Sequence, residues 1–269
     1  NIVGKFWNEL IMKPIYIFAP HWMGEFNTTR VGMMHHTWKL LFPEVLEGTP
    51  MERMGTLCQA LADEVAAIRA NGNFPVVIAG DCTFSIGTLA GLQREISDAM
   101  LIWYDAHGDF NTHETTPSGF VGGMPLAMLA GHGDQTIMTG ANAKTHPEEK
   151  IILTDARDLD PEEGVAVSNA ALKHLPQVSD LMTCDIPEGP LYIHFDSDVL
   201  STTDLPAVNY PAEGGPTIAD IDASLTRLAQ TGRVAALSVT MWDPALDDAE
   251  RSNEGTLMGV VHRFVEQLL

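Results

Sequence analysis

The chain has 269 residues, with 36 acidic side chains against 15 basic ones, a formal net charge of −21 and a pI near 4.6. That excess of acid argues against nucleic acid and against an anionic membrane surface as partners, since both are held by clustered Lys and Arg. At 45% hydrophobic and 19% charged residues, the composition is that of a globular protein and excludes a disordered or fibrous one.

In chain order, residues 1–11 precede Met12 and the apolar run KPIYIFAP, and read as a leader or an expression remnant. Strand-length apolar runs follow at 15–19, 75–79, 100–105, 150–154, 191–196 and 235–240. Between them, 51–70 carries Met54, Leu57, Leu61, Val65 and Ile68 at helical spacing, and 86–96, 161–175, 217–231 and 256–268 also read as helices. Strand and helix in alternation predict an α/β fold, a mostly parallel sheet with helices on both faces. No Pro/Ser-rich linker and no internal repeat divides the chain, so one domain over 1–269 is expected.

No run approaches the ~18 consecutive apolar residues of a membrane span. Cys58, Cys82 and Cys184 lie far apart with no CxxC, as suits a reducing compartment, and the expected location is the cytoplasm. The acceptor-like Asn27-Thr28-Thr29 carries no weight without a secretory signal. His35 and His36 are adjacent and cannot share a face, GTLAG and GGMP lack phosphate-loop spacing, and GxSxG is absent.

Ligands of such sheets bind beyond the carboxyl ends of the strands, and here those ends carry acids. In LIWYDAHGDFN, Asp105, His107 and Asp109 stand at i, i+2 and i+4, which an extended chain would point to one side. In YIHFDSDVL, Asp196 and Asp198 likewise share a face. Converging carboxylates repel one another in a low-dielectric crevice, and a cation is the natural compensation. Imidazole with carboxylates suits Mn, Zn or Fe(II), and shared carboxylates suit a two-metal site. Strand-end caps are the competing reading; they explain one pair readily and both motifs poorly.

DAHGDFN and FDSD resemble the two metal-binding signatures of the ureohydrolase family, which includes arginase and agmatinase. AGDCTFSIG, TTPSGFVGGMP, ARDLDPEE and LPAVNYPAEGGPT resemble further family segments in the same order, while the first fifty residues match poorly. The resemblance implies an arginase-like three-layer α/β/α fold, two manganese ions, and attack of water on a guanidino carbon. Carried over, one ion is held by Cys82, Asp105, Asp109 and Asp196, and the other by His107, Asp105, Asp196 and Asp198. Asp105 and Asp196 would bridge, a hydroxide between the ions would be the nucleophile, and Asp109 would accept its proton. Family members are often trimers or hexamers, so a homo-oligomer is compatible with the resemblance.

Three positions depart from the family. Cys82 stands where the family has a histidine ligand; it is either a small buried hydrophobe or a thiolate ligand that favours Zn, Fe or Co over Mn. Gly122 stands where arginases carry a proton-shuttling histidine, leaving His113 or His21 as substitute donors unless both are plain surface. Met241 aligns with the glutamate that pairs the guanidinium, and a thioether cannot balance a buried cation. Asp243 has the same strand parity, and a bulge would bring it in.

Asn111 and Ser118 match positions that bind an α-carboxylate, and Asp160 and Glu163 match positions near an α-amino group. DLDPEE is also good helix-capping sequence in its own right. The expected function is metal-dependent hydrolysis of a linear C–N bond in an amidine, hydroxyguanidine or amide of an amino-acid-like small molecule. The alternative is a non-catalytic arginase-fold protein with a metal-binding or regulatory role.

Overall fold

The computed structural model describes residues 12–32, 34–43 and 47–269; the segment 1–11, read above as a leader or remnant, lies outside them. The chain opens with β1 (Pro14–Ala19), a hairpin of β2 (His21–Trp22) and β3 (Glu25–Phe26), the single turn α1 (Thr28–Val31) and the short β4 (Lys39–Leu40). Next come α2 (Pro50–Ala70), β5 (Phe74–Ala79), α3 (Phe84–Glu95) and β6 (Met100–Asp105). The short helices α4 (Pro125–Ala130) and α5 (Thr136–Gly140) precede β7 (Ile151–Asp155), α6 (Pro161–Asn169) and β8 (Lys173–Leu175). The chain ends with β9 (Leu191–Asp196), α7 (Ile218–Gln230), β10 (Val234–Thr240) and α8 (Ser252–Glu266).

Eight strands form one sheet in the order β4-β1-β5-β10-β9-β6-β7-β8, with every pairing parallel. Residues of the near-continuous apolar strands alternate between two cores. Leu101 and Trp103 of β6 pack with α2 and α3 residues such as Leu57 and Leu89. Met100, Ile102 and Tyr104 pack with Leu225 of α7 and Phe264 of α8. The result is the three-layer α/β/α arrangement. Among the described residues, no helix is long and apolar enough to cross a membrane.

The helices begin where the chemistry of their first turns directs. Thr49 accepts from the Glu52 amide while Glu52 accepts from the Thr49 amide, a capping box ahead of Pro50. The helix expected over 161–175 is shorter: α6 stops at Asn169, and Lys173–Leu175 is the edge strand β8, paired with β7. Ser168 and Asn169 are weak helix formers, and the Ser168 hydroxyl bonds back to the Gly164 carbonyl at 2.7 Å, competing with helix propagation. Leu172 and Leu175 are then buried in opposite layers, as strand alternation requires.

Candidate metal centre and substrate cavity

The carboxyl ends of the central strands β5, β10, β9 and β6 lie side by side and carry the expected ligands. Neither DAHGD nor DSD stays extended, however. β6 ends at Asp105, whose Oδ1 accepts from the His107 amide at 2.7 Å, and Asp109 takes a left-handed φ of +49°. β9 ends at Asp196, whose Oδ1 accepts from the Asp198 amide at 2.8 Å as the chain enters a 3-10 turn. Each motif therefore converges by turning on its own first aspartate, not by strand periodicity, which corrects the expectation of a shared extended face.

The two strand ends are stitched together. Ala106 donates its amide to Asp198 Oδ1 at 3.3 Å, and the Cys82 thiol donates to Asp196 Oδ2 at 2.8 Å. The Trp103 indole donates to Asp105 Oδ2 at 3.0 Å. His107 Nδ1 stands 3.4 Å from Asp105 Oδ1 and 3.3 Å from Asp198 Oδ2. Burial opposes the charge on this imidazole, but the two acids push its pKa up to about 12. Asp105, Asp109 and Asp196 are raised above the usual carboxylate range, first by burial and then by a neighbouring carboxylate: Asp198 for Asp105 and Asp196, and Asp105 for Asp109. Burial, followed by Asp196, Asp109 and Asp105, likewise raises the Cys82 thiol.

These residues fit divalent cations. Buried Asp109 Oδ2 and Asp198 Oδ2 have no hydrogen-bond partner, and a cation would relieve both that deficit and the mutual repulsion. Two groups have ligand atoms mutually within 4.8 Å: Cys82, Asp105, His194 and Asp196, and Asp105, His107 and Asp198. Asp105 belongs to both. The first group differs from the expected set in containing His194 where Asp109 was assigned, and the second lacks Asp196. His194 stands two residues before Asp196 in YIHFDSD, and the same parity argument that selected Asp198 would have selected it.

A cavity of about 270 Å³ opens over this cluster, lined by Cys82, His107, Asp109, Asp196 and Asp198. All five expected substrate contacts, Asn111, Ser118, Asp160, Glu163 and Met241, also line it. Asn111 Nδ2 donates to Asp160 Oδ2 at 3.0 Å, and its Oδ1 accepts from the Thr115 hydroxyl at 2.9 Å. Glu163 accepts from the Phe110 amide at 2.9 Å, and burial above all pushes its pKa to about 7. Phe120, Tyr210 and Asp158 also line it and were not singled out from the sequence. Met241, just past β10, is buried at a φ of +67° with its amide donated to the Gly80 carbonyl.

The family model described as "Arginase family" matches residues 18–263. The chain belongs to the arginase family. It is 31% identical to the arginase of Bacillus subtilis (strain 168) over 224 residues, 78% of this chain and 74% of that one. The arginase of Bacillus caldovelox is 30% identical over 225 residues, again 78% of this chain and 75% of the relative. The crystal structure of arginase from Bacillus cereus superposes with a TM-score of 0.78 at 25% identity, covering 96% of this chain and 98% of that structure.

Within this arginase-family chain, three suggested substitutes do not reach the cavity. His113 is exposed and lies outside the lining, because the Thr112–Thr116 turn, closed by the Thr115 and Thr116 amides on the Thr112 carbonyl, carries it outward. His21 is buried among Phe26, Phe42 and Phe84, and desolvation lowers its pKa to about 4. Asp243 caps the 3-10 turn Pro244–Leu246 by accepting from the Ala245 amide at 2.9 Å, and does not line the cavity. At Gly122, a Cβ would lie 2.3 Å from the Phe120 ring. That ring stacks on Trp22 and leans on Tyr210, with centroids 6.0 and 5.1 Å away.

Proposed function

We propose that this chain hydrolyses a linear C–N bond of an amino-acid-like small molecule whose reacting group is less basic than a guanidinium: a hydroxyguanidine, an amidine or an amide. The observation that carries the reading is the cavity itself. The acid, imidazole and thiol cluster at the strand ends lines it, and so does Met241, an uncharged thioether where the family resemblance expects the anion that pairs a guanidinium. Cys82, Asp105, His107, Asp109, Asp196 and Asp198 would hold two divalent ions, manganese or, given the thiol, zinc, iron or cobalt. When bound, such ions supply a water of lowered pKa and stabilise developing negative charge.

The protein's own groups do the rest. Asp109 Oδ2, buried and without a partner, accepts the proton of the attacking water and can pass it to the leaving nitrogen, a task for which His113 lies too far out and Gly122 has no side chain. Asn111 and Ser118 offer polar groups to a carboxylate, and Asp160 and Glu163 offer oxygen acceptors to an ammonium. Phe120 and Tyr210 offer an apolar aromatic surface to the substrate's carbon chain.

The experiment is a hydrolysis screen of metal-loaded protein over arginine, agmatine, hydroxyarginine and acyl amides. Turnover of a less basic member with poor turnover of arginine and agmatine is expected. Efficient arginine cleavage would overturn the substrate assignment. Tight binding of these compounds without turnover of any would favour a non-catalytic role.

A further inference from the structure

A buried histidine on β9 has no place in the ligand set that the family resemblance transfers. His194 is fully buried and lies two residues before Asp196 on the same strand, so both side chains leave the same face of the sheet. Its ligand atom lies within 4.8 Å of those of Cys82, Asp105 and Asp196. Nδ1 is 2.9 Å from Ser238 Oγ, which is itself 2.7 Å from the Tyr192 hydroxyl. Nε2 has a 3.5 Å contact with Thr240 Oγ1, too long for a firm hydrogen bond, and that oxygen is 3.2 Å from Cys82 Sγ. The ring stacks on Trp103 at 3.7 Å, and the same indole donates to Asp105 Oδ2. One tryptophan thus holds both an imidazole and a carboxylate of the cluster.

An imidazole required only for packing is a poor choice at this point. Buried ring nitrogens demand partners, and an apolar side chain would fill the space beside Trp103 without that demand. The arrangement is that of a metal-ligating histidine, whose remote nitrogen is fixed by a hydrogen bond so that the other is aimed at the ion.

We propose that His194 is a ligand of the ion nearer Cys82, together with Cys82, Asp105 and Asp196, and that this sulfur, nitrogen and oxygen set selects zinc or cobalt(II) over manganese. The inference rests on the reading above that the chain holds two divalent ions, and it moves Asp109 out of the ligand set. Tetrahedral zinc with bonds of about 2.0–2.3 Å places its ligand atoms on the order of 3.4–3.8 Å apart, so four atoms within 4.8 Å need only small rotations. Binding releases the Cys82 thiol proton to solvent and frees Asp196 Oδ2 from its hydrogen bond to sulfur. Asp105, His107 and Asp198 offer only oxygen and nitrogen, so manganese remains acceptable at the second position. Asp109 is then left as a proton carrier.

The test is cobalt(II) titration of the full chain stripped of metal, with manganese as competitor, read by stoichiometry and absorption. Two cobalt ions are expected, the tighter giving a near-ultraviolet thiolate charge-transfer band and the strong visible bands of four-coordination, with manganese displacing only the weaker. His194→Gln should weaken the tighter ion by at least about 100-fold and leave the other in place. Ser238→Ala keeps the imidazole but frees its Nδ1, and should weaken the same ion by about 10–100-fold. Unchanged cobalt affinity and spectrum in both variants would overturn the role of His194 while leaving a two-metal hydrolase intact. Manganese competing equally at both positions would overturn the selectivity. A chain that takes up no ion would overturn the two-ion reading itself.

Discussion

The ends of β6 and β9 and the end of β10 differ in how far they keep the pattern of the family. The first two carry Asp105, His107, Asp109, Asp196 and Asp198, side chains a cation can use, and the first aspartate of each motif is tied by its own turn: Asp105 to the His107 amide and Asp196 to the Asp198 amide. At the third, Met241 offers no charge to the cavity it lines, and in the loop 120–122 the Phe120 ring occupies the space a side chain at 122 would need. On the reading proposed above, the strand ends keep the ligands for hydrolysis, while Met241 and Gly122 alter the walls that would recognise charge and return protons. Such a division is possible because the ligands are set by short local turns and the walls by side chains from distant loops.

The comparison breaks most decisively at the acids that stitch the strand ends together. Asp105→Ala or Asp196→Ala should lower metal content and reduce hydrolysis by at least about 10³-fold, since loss of even a supporting partner costs 10–100-fold. If these acids served only as turn caps, metal content would be unchanged and the loss confined to about 0.5–2 kcal/mol of stability. Elemental analysis with a melting curve separates the two outcomes.

Next in size is Met241→Glu. Leaving a desolvated guanidinium without its partner costs about 3–5 kcal/mol, or roughly 10²–10⁴-fold in relative rate. Restoring the acid should shift the ratio of kcat/KM for arginine to that for a neutral analogue upward by that order. The left-handed backbone is unchanged, but Met241 is buried, so without a cationic substrate the unpaired glutamate should itself destabilise the protein, and a melting curve must accompany the kinetics. An unmoved ratio would mean that Met241 does not face the reacting group.

His21 sharpens the line between frame and chemistry. Its imidazole is held neutral by desolvation, with a folded pKa of about 4 against 6.5 in the unfolded chain. Between those values the unfolded state binds more protons, so stability falls as pH drops from 6.5 toward 4, by at most roughly 3 kcal/mol. Other buried groups titrate in the same window, so the measure is the difference between wild type and His21→Gln: the stability gap should close in favour of the variant as pH falls from 6.5 toward 4. If the pH dependence of kcat moved instead, His21 would belong to the chemistry after all.

Much of this was legible in the sequence, for stated physical reasons. The strands at 100–105 and 191–196 match β6 and β9 because both faces are covered and the apolar run is unbroken. β8 was not legible: three residues, Lys-His-Leu, after an amphipathic stretch carry no period of their own. The convergence of Asp105, His107 and Asp109 was expected from an extended chain, whereas the chain turns and Asp109 is left-handed; strand parity is silent about turns. His194 shares the parity of Asp196 but lacked a motif to draw notice. The filling of the space at Gly122 by Phe120 depends on Trp22 and Tyr210, far away in sequence, and leaves no local signature.

That filling supports the smallest and most specific prediction. A Cβ at 122 would meet Phe120 Cε1 and Cζ at 2.3 and 2.4 Å, so Gly122→His cannot simply restore a proton donor. The ring must leave its place between Trp22 and Tyr210, and overpacking of this kind costs about 1–3 kcal/mol. Phe120→Ala alone removes the aromatic contact and should also destabilise. The double variant should recover part of the loss, because the space vacated by the ring receives the imidazole, giving a coupling of roughly 0.5–3 kcal/mol in a double-mutant cycle. Chemical denaturation of the four proteins measures it. Additive losses would show that the two positions do not compete for one space, and that the absence of a side chain at 122 has a cause other than Phe120.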